Sequence, residues 1–155
     1  MRKVITHTTR PMRENEKDGV DYYFVTKEEF VSLKKMNFFV ETTDYNGNFY
    51  GTSHKELEDN KVLIVDPNGL KSFVKLKDPR IVSFFMNATK ETRRVRMIKR
   101  GDSIEDAIKR IATDDTKFNE QTMHKCDYII DSEKQSIKKV ALEVYEKYAE
   151  RLSLM

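Results

Sequence analysis

Val62-Leu63-Ile64-Val65-Asp66 reads as four apolar residues with no polar break, closed by an acid. A strand with one wet face alternates apolar and polar residues. An unbroken run is what a strand buried on both faces needs, as in a parallel sheet covered by helices. Ile81–Met86 (IVSFFM) has the same character, and Val20–Val25 (VDYYFV) and Tyr128–Ile130 are further strand candidates. Helical patterns lie between them. Thr26-Lys27-Glu28-Glu29 and Ser53-His54-Lys55-Glu56 each have the spacing of a capping box, in which hydroxyl and carboxylate satisfy each other's orphan amides. The second box predicts a short helix ending near Asn60. Thr89 caps a basic helix through Lys99, and Ser103 opens another after Gly101. Ile137, Val140, Ala141, Val144, Tyr145, Tyr148 and Leu152 recur at helical spacing. Strands alternating with helices predict an α/β protein with a mainly parallel sheet flanked by helices. Phe38–Tyr45 and Asn48–Gly51 flank Asn46-Gly47, a dipeptide suited to a type I′ turn, so a small antiparallel hairpin is inserted in that frame.

The 155 residues suit one compact domain, 1–155. Lys plus Arg is 29 and Asp plus Glu is 26, a net charge of +3, too small to announce a nucleic-acid binder unless the basic residues cluster. The single Cys126 excludes an internal disulfide, and His7, His54 and His124 are too far apart for an HExxH-type ligand pair. These four are read as structural or incidental. No apolar run approaches the roughly 18 residues of a membrane span and no signal-peptide pattern follows Met1, so the chain reads as a soluble cytoplasmic protein.

Three groups of residues can carry chemistry. Thr8-Thr9-Arg10-Pro11-Met12-Arg13 is followed by Glu16 and by Asp18-Gly19-Val20-Asp21-Tyr22-Tyr23-Phe24. Two arginines spaced around a proline present planar forks that hold phosphate bidentately, and Tyr22 adds a neutral hydroxyl. A solvated polar loop is the plainer reading. In the hairpin, Glu41 follows Phe38-Phe39-Val40 and faces Gly47-Asn48-Phe49-Tyr50-Gly51-Thr52-Ser53. A carboxylate there can accept from the two N–H groups of a guanine edge, with Thr52 donating to the base carbonyl and Tyr50 to a phosphate. The plain reading is a surface Glu on an edge hairpin. Lys90–Gly101 holds Arg93, Arg94, Arg96, Lys99 and Arg100, and Arg110 follows an acidic turn. That pattern suits a lid over polyphosphate. Only Glu91 lies among the bases, so a helix face neutralised from within is a weak account. A nucleic-acid stripe competes, but no aromatic residues interleave with the arginines for stacking.

In this order and spacing, TTRPxRxxE, DGxDYxFV, FxE followed by GNxYGTS, and RGxxxxxxxxR resemble the guanylate kinase family from Val4 to Leu152. The resemblance implies a P-loop-kinase-like fold, with a GMP-binding subregion at about 6–61 and a lid region at about 89–113. It implies ATP-dependent phosphorylation of GMP or dGMP, with ATP as donor and Mg²⁺. Arg10, Arg13, Tyr22 and Tyr50 would hold the GMP phosphate. Glu41 and Thr52 would read guanine, with Thr6 near the base. Asp66 would be one acid of a family Asp-x-Asp. Arg96, Arg100 and Arg110 would contact the ATP phosphates and the moving phosphoryl group, supplying positive charge around its equatorial oxygens.

The family also begins with a strand and a GxxGxGK[ST] loop that cradles the ATP phosphates. Met1–Thr6 reads as the family's second strand, and the 155 residues contain no such loop. A fragment or a misplaced start is the first expectation, and a shortened GMP-binding or protein-interaction relative without turnover is the second. Either way the sheet is expected to rearrange or to take a strand from elsewhere, for instance in a homodimer. Ile64 stands where the family usually has an acid, Ile130-Asp131-Ser132 lacks its usual Asn-Asp pair, and the lid is one residue shorter than in some relatives.

Overall fold

A computed structural model describes residues 1–155, which divide into two compact units, Met1–Asp78 and Pro79–Met155. In the first unit, β1 (Arg2–Lys3) pairs in parallel with β6 (Lys61–Val62). A second sheet has the order β3-β2-β5-β4, from Tyr23–Phe24, His7–Thr8, Asn48–Ser53 and Phe39–Tyr45. β2 runs parallel to β3, whereas β5 is antiparallel to both of its neighbours. The Asn46-Gly47 turn has positive φ at both residues, 49° and 74°, the backbone a type I′ turn demands. α1 (Lys27–Lys35) carries the expected capping box complete: the Glu29 amide donates to the Thr26 hydroxyl and the Thr26 amide to the Glu29 carboxylate. The helix ends where Asn37 turns left-handed at φ 55°.

Aromatic rings fill the space between α1 and the hairpin. Phe30 stacks on Phe39 at 4.6 Å and approaches Phe49 at 5.4 Å. A β-bulge shifts the β4–β5 register between Phe39 and Glu41, so that Phe39 faces Ser53 while Glu41 faces Thr52. The extra residue lets Phe39 stay in the core while Glu41 meets Thr52. Gly51 is needed where the hairpin crosses these rings: a Cβ there would stand 2.8 Å from Phe39 and 3.1 Å from Phe30.

Three expectations for this unit need correction. The apolar run forms a strand only at Lys61–Val62, and Ile64 is 96% exposed. Its pairing stops with β1, so beyond Val62 the run has no ladder to bury it. Asp66-Pro67-Asn68-Gly69, read as a turn, opens α2 (Pro67–Val74): Asp66 accepts from the Gly69 amide at 2.8 Å and Pro67 occupies the first helical turn, where a missing N–H costs nothing. The second capping box does not form. Ser53 makes no side-chain cap, and His54–Glu56 is a single 3-10 turn. Glu56 turns inward instead, accepting from the Ile5 amide at 3.0 Å and from Lys61 Nζ at 2.8 Å, with Tyr23 Oη donating at 3.4 Å.

The second unit is built on β7 (Phe84–Asn87) and β8 (Tyr128–Asp131), a parallel pair in which Phe84 faces Tyr128 and Asn87 faces Asp131. The β7 strand starts three residues later than the IVSFFM run. α3 (Lys90–Lys99), α4 (Ile104–Lys117) and α6 (Ile137–Ser153) begin at hydroxyl caps, Thr89, Ser103 and Ser136. The short α5 (Glu120–His124) has no counterpart in the sequence reading and starts at an Asn119 cap. Ala107, Ile111, Ile130 and Tyr148 form the buried centre. Three of the five strand pairings in the protein are parallel, as an α/β frame with an antiparallel insert requires.

Candidate functional site

The residues read as a phosphate cradle all lie in the first unit. Arg10 follows β2, and its backbone amide donates to the Thr8 hydroxyl at 3.2 Å. Its guanidinium lies over the rings of Tyr22, at 5.3 Å, and Phe24, at 5.9 Å. Tyr22 meets Tyr50 edge-on at 6.1 Å, and Tyr50 stands opposite Thr8 in the β2–β5 register. Arg10, Tyr22 and Tyr50 are thus brought together although they come from three separate stretches of chain. Lys3 Nζ approaches the same Tyr22 ring at 5.6 Å, a cation the sequence reading did not single out. Arg13 is exposed, and its backbone amide donates to Glu16.

Glu16 also accepts from both terminal nitrogens of Arg10, at 2.9 and 2.8 Å. The hydrogen bonds from Arg10 and from the Arg13 amide hold its carboxyl down to about 2, and Arg10's own pKa is raised in return. The pair is therefore ionised at neutral pH.

Across the hairpin, Thr52 Oγ donates to Glu41 Oε1 at 2.9 Å and Thr43 Oγ to Oε2 at 3.3 Å. Burial pushes the Glu41 carboxyl up, the two hydroxyls oppose that shift, and the neighbouring Asp66 adds to it. Glu41 is thus a half-buried acid with its oxygens oriented and with no cation among its hydrogen-bond partners. Thr52 is fully buried and its single O–H is given to Glu41, so it acts on whatever Glu41 meets through that carboxylate. Asp66 is spent on its helix cap but lies close enough for its charge to reach Glu41. Thr6 contributes its carbonyl to the Tyr23 amide at 2.9 Å, which joins it to the strand behind Tyr22.

The three other arginines lie in the second unit and are not clustered with one another by direct contact. Arg96 donates to the Ser132 hydroxyl and carbonyl after β8, at 3.1 and 2.6 Å. Arg100 pairs with Asp102 at 2.8 Å, and Arg110 lies 4.0 Å from Asp114. Asp102 is the point they share, because both Arg100 and Arg110 hold its carboxyl down, Arg100 chiefly by hydrogen bonding. The basic helix is neutralised more fully than its own sequence suggested. Lys90 and Arg93 reach Asp115 on α4 and Arg94 pairs with Glu91, so one acid from the next helix serves two bases of α3. At the start of α3, Glu133 accepts from Thr89 and Thr92, a contact that no sequence signal announced. His7 lies among Tyr23, Phe38 and Phe39, as a structural histidine should.

No group of three or more His, Cys, Asp or Glu side chains is placed to hold a metal ion. The residues present do not form a Mg²⁺ site of their own. No helix is long and apolar enough to cross a membrane.

Fold and site together define an α/β protein whose first unit gathers an arginine beside two tyrosines and sets an oriented carboxylate in the adjoining hairpin. The family model described as guanylate kinase matches residues 2–147. The guanylate kinase of Pseudomonas fluorescens (strain Pf0-1) is 35% identical over 114 residues, covering 70% of this chain and 55% of that protein. That of Anaplasma phagocytophilum (strain HZ) is 39% identical over 90 residues, covering 54% and 43%. The crystal structure of guanylate kinase from Anaplasma phagocytophilum superposes with a TM-score of 0.67 at 28% identity, covering 96% of this chain and 75% of that one. The chain belongs to the guanylate kinase family. It spans about half the length of the curated relatives it matches.

Proposed function

We propose that this chain binds GMP or dGMP in its first unit and serves the ATP-dependent phosphorylation of that nucleotide to the diphosphate, with ATP and Mg²⁺ as the donor system. The observation that carries the reading is the Glu41–Thr52 pair on the same sheet as the Arg10 cradle. Guanine offers two adjacent N–H donors on one edge and adenine does not, so an oriented carboxylate separates the two purines. Arg10, Arg13, Tyr22 and Tyr50 take the phosphate, and Thr6 and Asp66 border the base region. Arg96, Arg100 and Arg110 are the candidate contacts to the donor phosphates and the transferred group. In-line transfer asks of them only position and positive charge. Leaving their present partners Ser132, Asp102 and Asp114 is part of that task.

Calorimetry with GMP and AMP, on the protein and on Glu41→Gln, tests the base assignment. The amide replaces one acceptor oxygen with a donor that opposes a guanine N–H. GMP should then lose about tenfold or more in affinity while AMP changes little. An unchanged preference for GMP overturns the assignment. ADP formation from ATP and GMP then separates a kinase from a GMP-binding module that does not turn over, which rests on the same cradle.

A further inference from the structure

Glu16 has no task in the reading just given, yet it touches both arginines of the cradle. We propose that Glu16 is a positioning residue: with the Pro11 carbonyl it fixes the roll of the Arg10 guanidinium, so that the Nε–H and Nη2–H edge faces the phosphate. The inference rests on the GMP reading and deepens it.

A guanidinium has five N–H donors in one rigid plane. Arg10 Nη1 donates to the Pro11 carbonyl at 3.1 Å and to Glu16 Oε1 at 2.9 Å, and Nη2 donates to Glu16 Oε2 at 2.8 Å. Three donors are thereby taken. The two that remain are Nε–H and the second N–H of Nη2, which are parallel neighbours on the side edge of the plane. That edge is one of the two that match a pair of phosphate oxygens. A carboxylate competing with the ligand would occupy either fork without regard to the other. Here Glu16 takes the end edge, the Pro11 carbonyl takes the odd donor, and an intact fork is left over. The Tyr22 and Phe24 rings set the tilt of the plane, and Glu16 sets the rotation within it. The same Oε1 accepts from the Arg13 amide at 2.8 Å while the Glu16 amide donates to the Arg13 carbonyl at 3.1 Å. One carboxylate therefore holds the tip of the Arg10 side chain and the backbone from which Arg13 starts.

The experiment measures affinities for GMP and for guanosine, which lacks the phosphate, on the protein, Glu16→Gln, Arg10→Lys and the double variant, with circular dichroism as the fold control. Glu16→Gln should weaken GMP by about tenfold to a hundredfold, because charge-assisted hydrogen bonds are lost at the group that grips the anion. Guanosine should change by less than about twofold. In the Arg10→Lys background, where no fork exists to orient, Glu16→Gln should add less than about twofold. Equal or tighter GMP binding by Glu16→Gln overturns the proposal, and so does an equal loss for GMP and guanosine, which would make Glu16 a support of the loop alone. Should Glu16→Gln fail to fold, Glu16→Asp keeps the charge but is too short to span both guanidinium nitrogens and the Arg13 amide. It is held to the same selective loss. A parent protein that binds neither ligand refutes the GMP reading itself and this proposal with it, whereas a parent that binds GMP with an indifferent Glu16→Gln refutes only the role of Glu16.

Discussion

Glu41 and Glu16 show how the same functional group is set to different work by its neighbours. Glu16 meets an arginine and one backbone amide and is fixed as an anion. Glu41 meets two hydroxyls and a second acid in a half-buried position, and burial raises its pKa. An oriented acid without a cation is available to a ligand, and a saturated one is available only as a support. Gly51 supplies the geometry beneath Glu41, because only a residue without a side chain lets β5 lie this close to Phe39 and Phe30. Gly51→Ala forces a methyl against both rings and should cost about 1–3 kcal/mol, read as a lower urea midpoint at unchanged slope. A midpoint equal to the parent's would show that the rings move aside freely and that Gly51 is incidental. The sequence displayed Gly51 inside the YGTS motif, but nothing in its spelling marks the approach of two rings from elsewhere in the chain.

Elements were legible where their cause is local. The Thr26 box, the Asn46-Gly47 turn and the hydroxyl caps of α3 and α4 depend on residues within four positions of one another, and each forms as read. Ser53-His54-Lys55-Glu56 has the same spelling as the Thr26 box, but its Glu finds Lys61 and the Ile5 amide and leaves the helix without its reciprocal bond. An ion pair to Lys61 together with a hydrogen bond from an amide 51 positions away therefore outranks a cap. Thr26→Ala should destabilise the protein by about 0.5–2 kcal/mol, with α1 amides losing hydrogen-exchange protection before those of the hairpin. A protection pattern that changes uniformly would sink the assignment of that cost to the cap.

At the scale of the whole molecule, His7 and Glu56 make stability depend on acid. His7 is driven down by burial, against the pull of Glu56 and Asp18, and its Nδ1 has no hydrogen-bond partner. Glu56 is desolvated too, but the bonds from Lys61 and the Ile5 amide prevail and hold it low. For both groups the folded pKa lies below the unfolded one. Their contribution is therefore present above the unfolded values, about 6.5 for His and 4.3 for Glu, and fades as pH falls through the folded values. Glu41, whose folded pKa is raised, has the opposite sign and partly offsets the loss. Stability should fall in two stages, first below about pH 6.5 with His7 and later with the carboxylates. His7→Phe removes the orphan nitrogen and keeps a ring among Tyr23, Phe38 and Phe39. Its urea midpoint should hold steady from pH 7 to 5, while that of the parent falls. A parallel decline in both proteins would assign the first stage elsewhere.

The candidate site residues are marked by short motifs, whereas the extent of each strand is not, for a physical reason. Arg10, Tyr22, Tyr50 and Glu41 belong to short motifs whose residue types state their chemistry, and the sheet brings the first three together. The run at Val62–Asp66 states only that apolar residues need cover. How far it forms a strand depends on a neighbour many residues away, and β1 supplies it for two residues. In the second unit the same limit applies to α3, whose charges are settled by Asp115 on another helix.

The brevity of the β1–β6 ladder has a consequence of its own. The front of the chain is stitched to residues around Lys61 by the Arg2 and Val4 amides and by one carboxylate, Glu56, reaching Ile5 across 51 positions. A proton on Glu56 weakens its hold on the Ile5 amide and on Lys61 together, so one titration loosens both ties.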